Sequence, residues 1–139
     1  MNWKLIATLS GFGLAMGIAA VFGITAGIEG FLWLIIGIFS AVAIAMRMSS
    51  KHFLHGLLVG IIGGLVASFV QVIFFPIYLA NNPESAKQMA QIPGGLDPRF
   101  FVLMLAPIIA VASGLILGAL SWAAAKIIRR NSTLALQQN

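Results

Sequence analysis

Cysteine is absent from this chain of 139 residues, and only three acidic residues, two histidines and one tyrosine are present. Without cysteine there can be no disulfide, thiolate metal site or thiol nucleophile. Glu29, Glu84 and Asp97 give little material for paired-carboxylate hydrolysis or an oxygen-ligand metal centre. No P-loop, dinucleotide fingerprint or serine–histidine–aspartate set is legible. The expectation is a protein that is not an enzyme and carries no cofactor or metal. Charge is scarce as well: 8% of residues are charged, against about 25% in soluble domains. That shortage excludes an ordinary soluble globule, and the apolar content excludes disorder.

What is present is hydrophobic: 60% of residues, with a mean hydropathy of +1.05. A bilayer core is crossed by about 20 apolar residues of helix. Four segments have that length, at about 5–26, 31–48, 53–80 and 100–125. Backbone groups cannot stay unpaired in lipid, and the runs are continuous rather than alternating, so helices are expected and a β-barrel is not. The fold class is therefore an all-α membrane protein, a single domain over 1–130 with four transmembrane helices. Residues 131–139 are expected to form a tail. The apolar run after Lys4 is longer than a signal-peptide core, so it reads as a retained span.

Local chemistry marks the boundaries. Asn82, Pro83 and Glu84 read as N-cap, first helical residue and first-turn acid. They predict a short helix to about Gln91, ended by Pro93, Gly94 and Gly95, within the 81–99 loop. Asp97 and Pro98 repeat the pattern before the fourth span. Residues 25–30 allow only a tight turn, which predicts that spans one and two pack as a helical hairpin.

The net charge of +5 would suggest nucleic acid in a soluble protein. Here the basic residues flank apolar runs, so the partner is the lipid bilayer and not nucleic acid. Lys4, Arg47, Lys51, Lys126, Arg129 and Arg130 fall on one side of a four-span chain, Lys87 and Arg99 on the other. The bias predicts cytoplasmic termini and an outward 81–99 loop. Trp3 and Trp122 should mark one interface, and Phe31, Trp33, Tyr78, Phe100 and Phe101 the other. Asn131 to Thr133 match a glycosylation sequon on the side predicted to be cytoplasmic.

Glycine is the patterned residue. Gly13 and Gly17, Gly23 and Gly27, then Gly56, Gly60 and Gly64 with Ser68, and finally Gly114 and Gly118 after Ala110, all step by four. Small residues at that spacing let helix backbones approach closely in lipid. Gly56, Gly60, Gly64, Gly114 and Gly118 are the expected helix-packing interface of a glycine-packed bundle. The spacing leaves open whether they pack within one chain or join protomers of a homo-oligomer or larger membrane complex. A loose likeness between the two halves, glycine-rich spans one and three against base-ended spans two and four, is compatible with a duplicated hairpin.

Intramembrane polar groups are the default functional signal. Glu29 lies in the turn before the second span, where its plainest role is a favourable charge at a helix N-terminus; it is also the candidate coupling acid. His52 and His55 share one helix face and read as interfacial. Gln71 is the most polar side chain within a span and needs a partner. Pro76 and Pro107 are expected inside the third and fourth helices, kinking them at similar depth. Such kinks could open an outward pocket under the loop, lined by Gln71, Pro76, Tyr78, Asn81 and Pro107.

The stretch Phe53–Arg130 carries a glycine-rich span, the Tyr78–Glu84 exit and the QMAQIPGG and DPRFF segments. It resembles a family of small four-span bacterial integral membrane proteins known as a domain of unknown function. That resemblance implies a bacterial inner membrane and four helices, and no activity. Two functions are compatible with the residues. One is a non-enzymatic structural or accessory subunit acting by helix–helix packing. The other is a small oligomeric transporter or channel for an ion or small solute.

Overall fold

The computed structural model describes residues 1–92 and 96–137, with side chains to residue 130. Pro93, Gly94 and Gly95, expected to end the loop helix, lie outside the described residues, as do the side chains of the sequon. The described elements are all helices: α1 Trp3–Val21, α2 Glu29–Arg47, α3 His52–Ile73, α4 Phe75–Asn81, α5 Pro83–Ala90 and α6 Pro98–Gln137. Four of them (α1, α2, α3 and α6) are long and apolar enough to cross a membrane. α6 has 40 residues, roughly 60 Å at 1.5 Å per residue, about twice the hydrocarbon thickness.

Several boundaries differ from the sequence expectation. The first helix stops at Val21 rather than near Ala26, because Gly23 takes a φ of +69° and turns the chain. A side chain at Gly23 would also place its Cβ 2.5 Å from the Asn81 carbonyl oxygen. The third span is not one helix to Ala80. It ends at Ile73, and after Phe74 (φ −100°, ψ 29°) a new helix begins. Pro76 has no N–H and its ring would strike the carbonyl four residues earlier, so it occupies the first turn of α4 rather than an interior kink. Pro107, in contrast, does lie inside α6. The 131–137 segment, expected to be tail, continues α6.

The packing order also differs. α3 packs along α6 on one side and α1 on the other, α2 packs on α6, and α1 and α2 scarcely meet. The two helices joined by the 22–28 link therefore do not form the expected hairpin. Their notable contact is Phe12 edge-on to Phe39, centroids 5.9 Å apart. α1 buries one face, with Leu5, Ile6, Leu9, Gly13, Met16, Gly17 and Ala20 at helical spacing. Against Leu5, Ile6 and Leu9 stand Ala41 and Ile44 of α2, Val59 of α3 and Leu117 of α6.

Both ends of the bundle are tied by polar contacts. At the end carrying Lys4, Arg47, Lys51 and Lys126, the Asn2 side chain caps α1 by accepting from the Leu5 N–H at 3.1 Å. The Asn2 N–H donates to His55 Nε2 at 3.0 Å. His55 Nδ1 lies 2.8 Å from the Lys51 carbonyl, so that nitrogen is the donor and Nε2 the acceptor of a neutral ring. His52 Nε2 donates likewise to the Met48 carbonyl at 2.8 Å. Both histidines are buried, at the end of α3 that carries the basic residues. Arg129 reaches the Ser49 carbonyl, and Lys126 sits over the Trp122 ring at 3.8 Å. His55→Phe removes one acceptor and one donor from this knot. It is expected to cost about 1–3 kcal/mol, read as a lowered midpoint of reversible unfolding in mixed micelles.

At the opposite end, the Asn81 amide donates to the carbonyls of Val21 and Ile77, both at 3.1 Å. Asn82 donates to those of Ala20 and Tyr78, both at 2.8 Å. Asn82 sits at the N-cap position before Pro83, as the sequence suggested, but its side chain makes no cap bond to α5. It serves the C-terminus of α1 instead, where helix carbonyls lack internal partners. Asp97 does cap: its Oδ1 accepts from the Arg99 N–H at 2.9 Å.

Candidate functional site: an intramembrane slot

The residues of the glycine rows meet backbone, with the exception of Gly27, which lies in the turn after α1 at a φ of +81° and has nothing within 4 Å of an added Cβ. A methyl group added at Gly60 would lie 2.5 Å from Gly114 Cα, and one at Gly56 would lie 2.6 Å from the Leu117 carbonyl oxygen. At Gly64 it would lie 3.1 Å from Ala110 Cα, and at Gly118 2.9 Å from the Phe53 carbonyl oxygen. Gly114 faces Leu57 and Ile61, and Gly13 faces the backbone of Gly63. The α3 and α6 rows therefore face each other in one chain, while the next face of α3 takes α1.

α2 is different. A Cβ at Gly30 or Gly37 would meet nothing within 4 Å. These glycines, seven residues and so two turns apart, border a slot of about 530 Å³. α2 contributes Glu29, Gly30, Trp33, Gly37 and Ser40 to its walls; α3 contributes Val59, Gly60, Gly63, Gly64, Ala67, Ser68 and Gln71. α6 adds Ile109, Ser113, Ile116, Leu117 and Leu120, and Leu9 and Phe12 of α1 close the end nearer the basic residues. From Val59 to Gln71 the slot runs along α3 for roughly 18 Å at 1.5 Å per residue, slightly more than one leaflet of a core about 30 Å thick. Its volume falls within the range of about 300–1,000 Å³ typical of small-molecule sites. α2 and α3 touch little, and the slot occupies the space between them.

The walls are apolar with a few polar groups toward the Glu29 end. Glu29 Oε1 accepts from Trp33 Nε1 at 3.5 Å, one turn along α2. Glu29 is the first residue of α2, following the N-cap Ile28, whose side chain has no polar atom to cap with; its carboxylate lies beside the indole. The ion pair formed among the described residues is Lys87 with Glu84 at 2.9 Å, in α5, so no lysine, arginine or histidine neutralises Glu29. Gln71, Ser68 and Ser113 border the slot and their side chains bond to no described residue.

Of the pocket residues expected from sequence, Gln71 reaches this slot and the rest do not gather with it. The Tyr78 hydroxyl bonds to Ser85 at 3.0 Å and its ring stacks on Phe75. Asn81 is spent on α1, and Pro76 opens α4. Pro107 borders a separate cavity of about 280 Å³ with Leu65, Ser68, Phe69, Leu103 and Ala106. After the break at Phe74, α4 meets the C-terminus of α1. Sequence reasoning missed Gly30, Gly37, Trp33 and Ser113. The available signal was the seven-residue glycine spacing of α2, which falls outside the four-residue step of close-packed pairs.

No protein-family model, curated protein sequence or solved structure matches the chain.

Proposed function

We propose that this chain is a non-enzymatic, multi-pass protein of the bacterial cytoplasmic membrane that binds the apolar tail of a single-chain amphipathic molecule between α2 and α3. The observation that carries this reading is the slot itself. Close backbone contact between α3 and its neighbours α1 and α6 is matched by a gap of about 530 Å³ beside α2. The slot is open along part of its wall rather than enclosed, and its apolar lining suits an alkyl chain. The glycine rows of α3 and α6 are occupied by each other, which weighs against a subunit recruited through those rows.

The charge bias supports an orientation with the basic end in the cytoplasm and the Glu29 end outward. In that orientation a cysteine at the exposed Gln88 of α5 is expected to react with an impermeant thiol reagent added to intact spheroplasts. Labelling confined to inverted vesicles would reverse the topology.

Binding is tested with Trp33 as the only tryptophan, after Trp3→Phe and Trp122→Phe, in nanodiscs titrated with a neutral, brominated single-chain surfactant. Saturable quenching of Trp33 is expected, and Gly37→Leu, which puts a side chain into the slot, should abolish the saturable component. Quenching that stays linear with surfactant, or is indifferent to Gly37→Leu, would refute the reading.

A further inference from the structure

We infer that the slot selects lipophilic cations: a single alkyl chain lies along α3 and its ammonium head rests between the Glu29 carboxylate and the Trp33 ring. This rests on the slot being a binding site, and adds what its polar end recognises.

Three observations converge on that head group. First, Glu29 is a carboxylate at the rim of an apolar cavity with no cation in ion-pair contact. A half-buried carboxylate bordering apolar walls gains when an opposite charge is brought beside it. Second, an indole stands beside it: the N–H edge of Trp33 points at the carboxylate, which leaves the ring face, the part of an aromatic that attracts ammonium groups and does so best in an indole, outside that bond. The bond between them, at 3.5 Å, is at the long limit for an N–H donor, so little is lost when a cation draws the carboxylate away. Third, the N-cap of α2 is Ile28, and Glu29, the residue after it, has Trp33 as its described hydrogen-bond partner, which leaves the rest of the carboxylate to a ligand.

The remaining polar groups are neutral. Gln71, Ser68 and Ser113 can accept a hydrogen bond from an amine or from a water that accompanies it. No base among the slot-lining residues could meet a phosphate. Arg99, at the same end of the bundle, is engaged over the Phe75 ring at 5.6 Å. A phospholipid would bring its phosphate toward an unneutralised carboxylate and would need room for a second chain. A one-chain cation suffers neither penalty.

The experiment uses the single-tryptophan chain in phosphatidylcholine nanodiscs, titrated with brominated dodecyl probes that differ only in head group: trimethylammonium, neutral maltoside and sulfate. The cation is expected to quench saturably at a concentration at least tenfold below that of the neutral probe, and the sulfate to bind more weakly than either. Glu29→Gln should bring the cation to within about twofold of the neutral probe, while binding of the neutral probe is retained. Equal affinity of the unaltered protein for cation and neutral probe would overturn the inference and leave the slot reading intact. So would a cation preference that survives Glu29→Gln. Loss of saturable binding for every probe would instead overturn the slot reading. Should Glu29→Gln not fold, the cation-to-neutral ratio of the unaltered protein, and its decline with added salt, decide alone. Nanodiscs containing phosphatidylethanolamine provide the last arm. If that lipid displaces the cation, the site belongs to a phospholipid amine and the inference fails.

Discussion

Gly60→Ile is expected to destroy the α3–α6 pairing. A Cβ at Gly60 would stand 2.5 Å from Gly114 Cα and 2.7 Å from Gly114 N, so the obstruction is backbone and cannot rotate away. Overpacking of a fitted core costs about 1–3 kcal/mol for small insertions; a β-branched side chain against backbone should exceed about 3 kcal/mol. The midpoint of unfolding in mixed micelles should fall to where little folded protein remains. Gly37→Ile is the matched control: the same change in a transmembrane helix, but with no atom within 4 Å of the added Cβ. It should leave that midpoint within about 1 kcal/mol of the unaltered protein. Equal damage from both would show that helix propensity or lipid exposure, rather than backbone contact, governs these glycines.

The double substitution Asn81→Ala, Asn82→Ala should release the C-terminus of α1. Each side chain bridges two carbonyls, one of α4 and one of α1, and together they tie Ala20 and Val21 to α4. A net hydrogen bond contributes about 0.5–1.5 kcal/mol. The loss of both ties between α1 and α4 is therefore expected to cost about 2 kcal/mol. Hydrogen exchange should accelerate most at the N–H groups of Phe22, Gly23 and Ile24, whose bonds to the last turn of α1 depend on that end holding its shape. Uniform acceleration along the chain would instead place the asparagines in global stability.

What could be read from the residues follows a physical division. Helix number and approximate position follow from hydropathy, because the bilayer requires long apolar runs. The starts of α5 and α6 follow from Asn-Pro and Asp-Pro. Partner choice does not follow. A four-residue glycine step declares that some backbone will come close, but Gly60 carries no mark that names Gly114. The short 22–28 link suggested a hairpin, yet chain proximity brings little attraction between helices in lipid, where packing decides. The break at Phe74 was half legible: Pro76 was noticed, and its position in the first turn of a new helix rather than in a kink depends on where α4 finds α1. The slot was least legible of all, since it arises where α2 and α3 do not touch. Gln71 was singled out because it is polar in an apolar span, whereas Trp33 passed for an interfacial aromatic.

The order in which the helices find their partners has a consequence for biosynthesis. α1 is made before its main neighbour, α3; α2 comes between them, and its main neighbour is α6, which follows α3, α4 and α5 in the chain. After insertion, α2 must wait in the lipid without its main companion until α6 has been translated. During that interval the channel-side machinery of insertion, or a chaperone within the bilayer, has an unattached helix to hold.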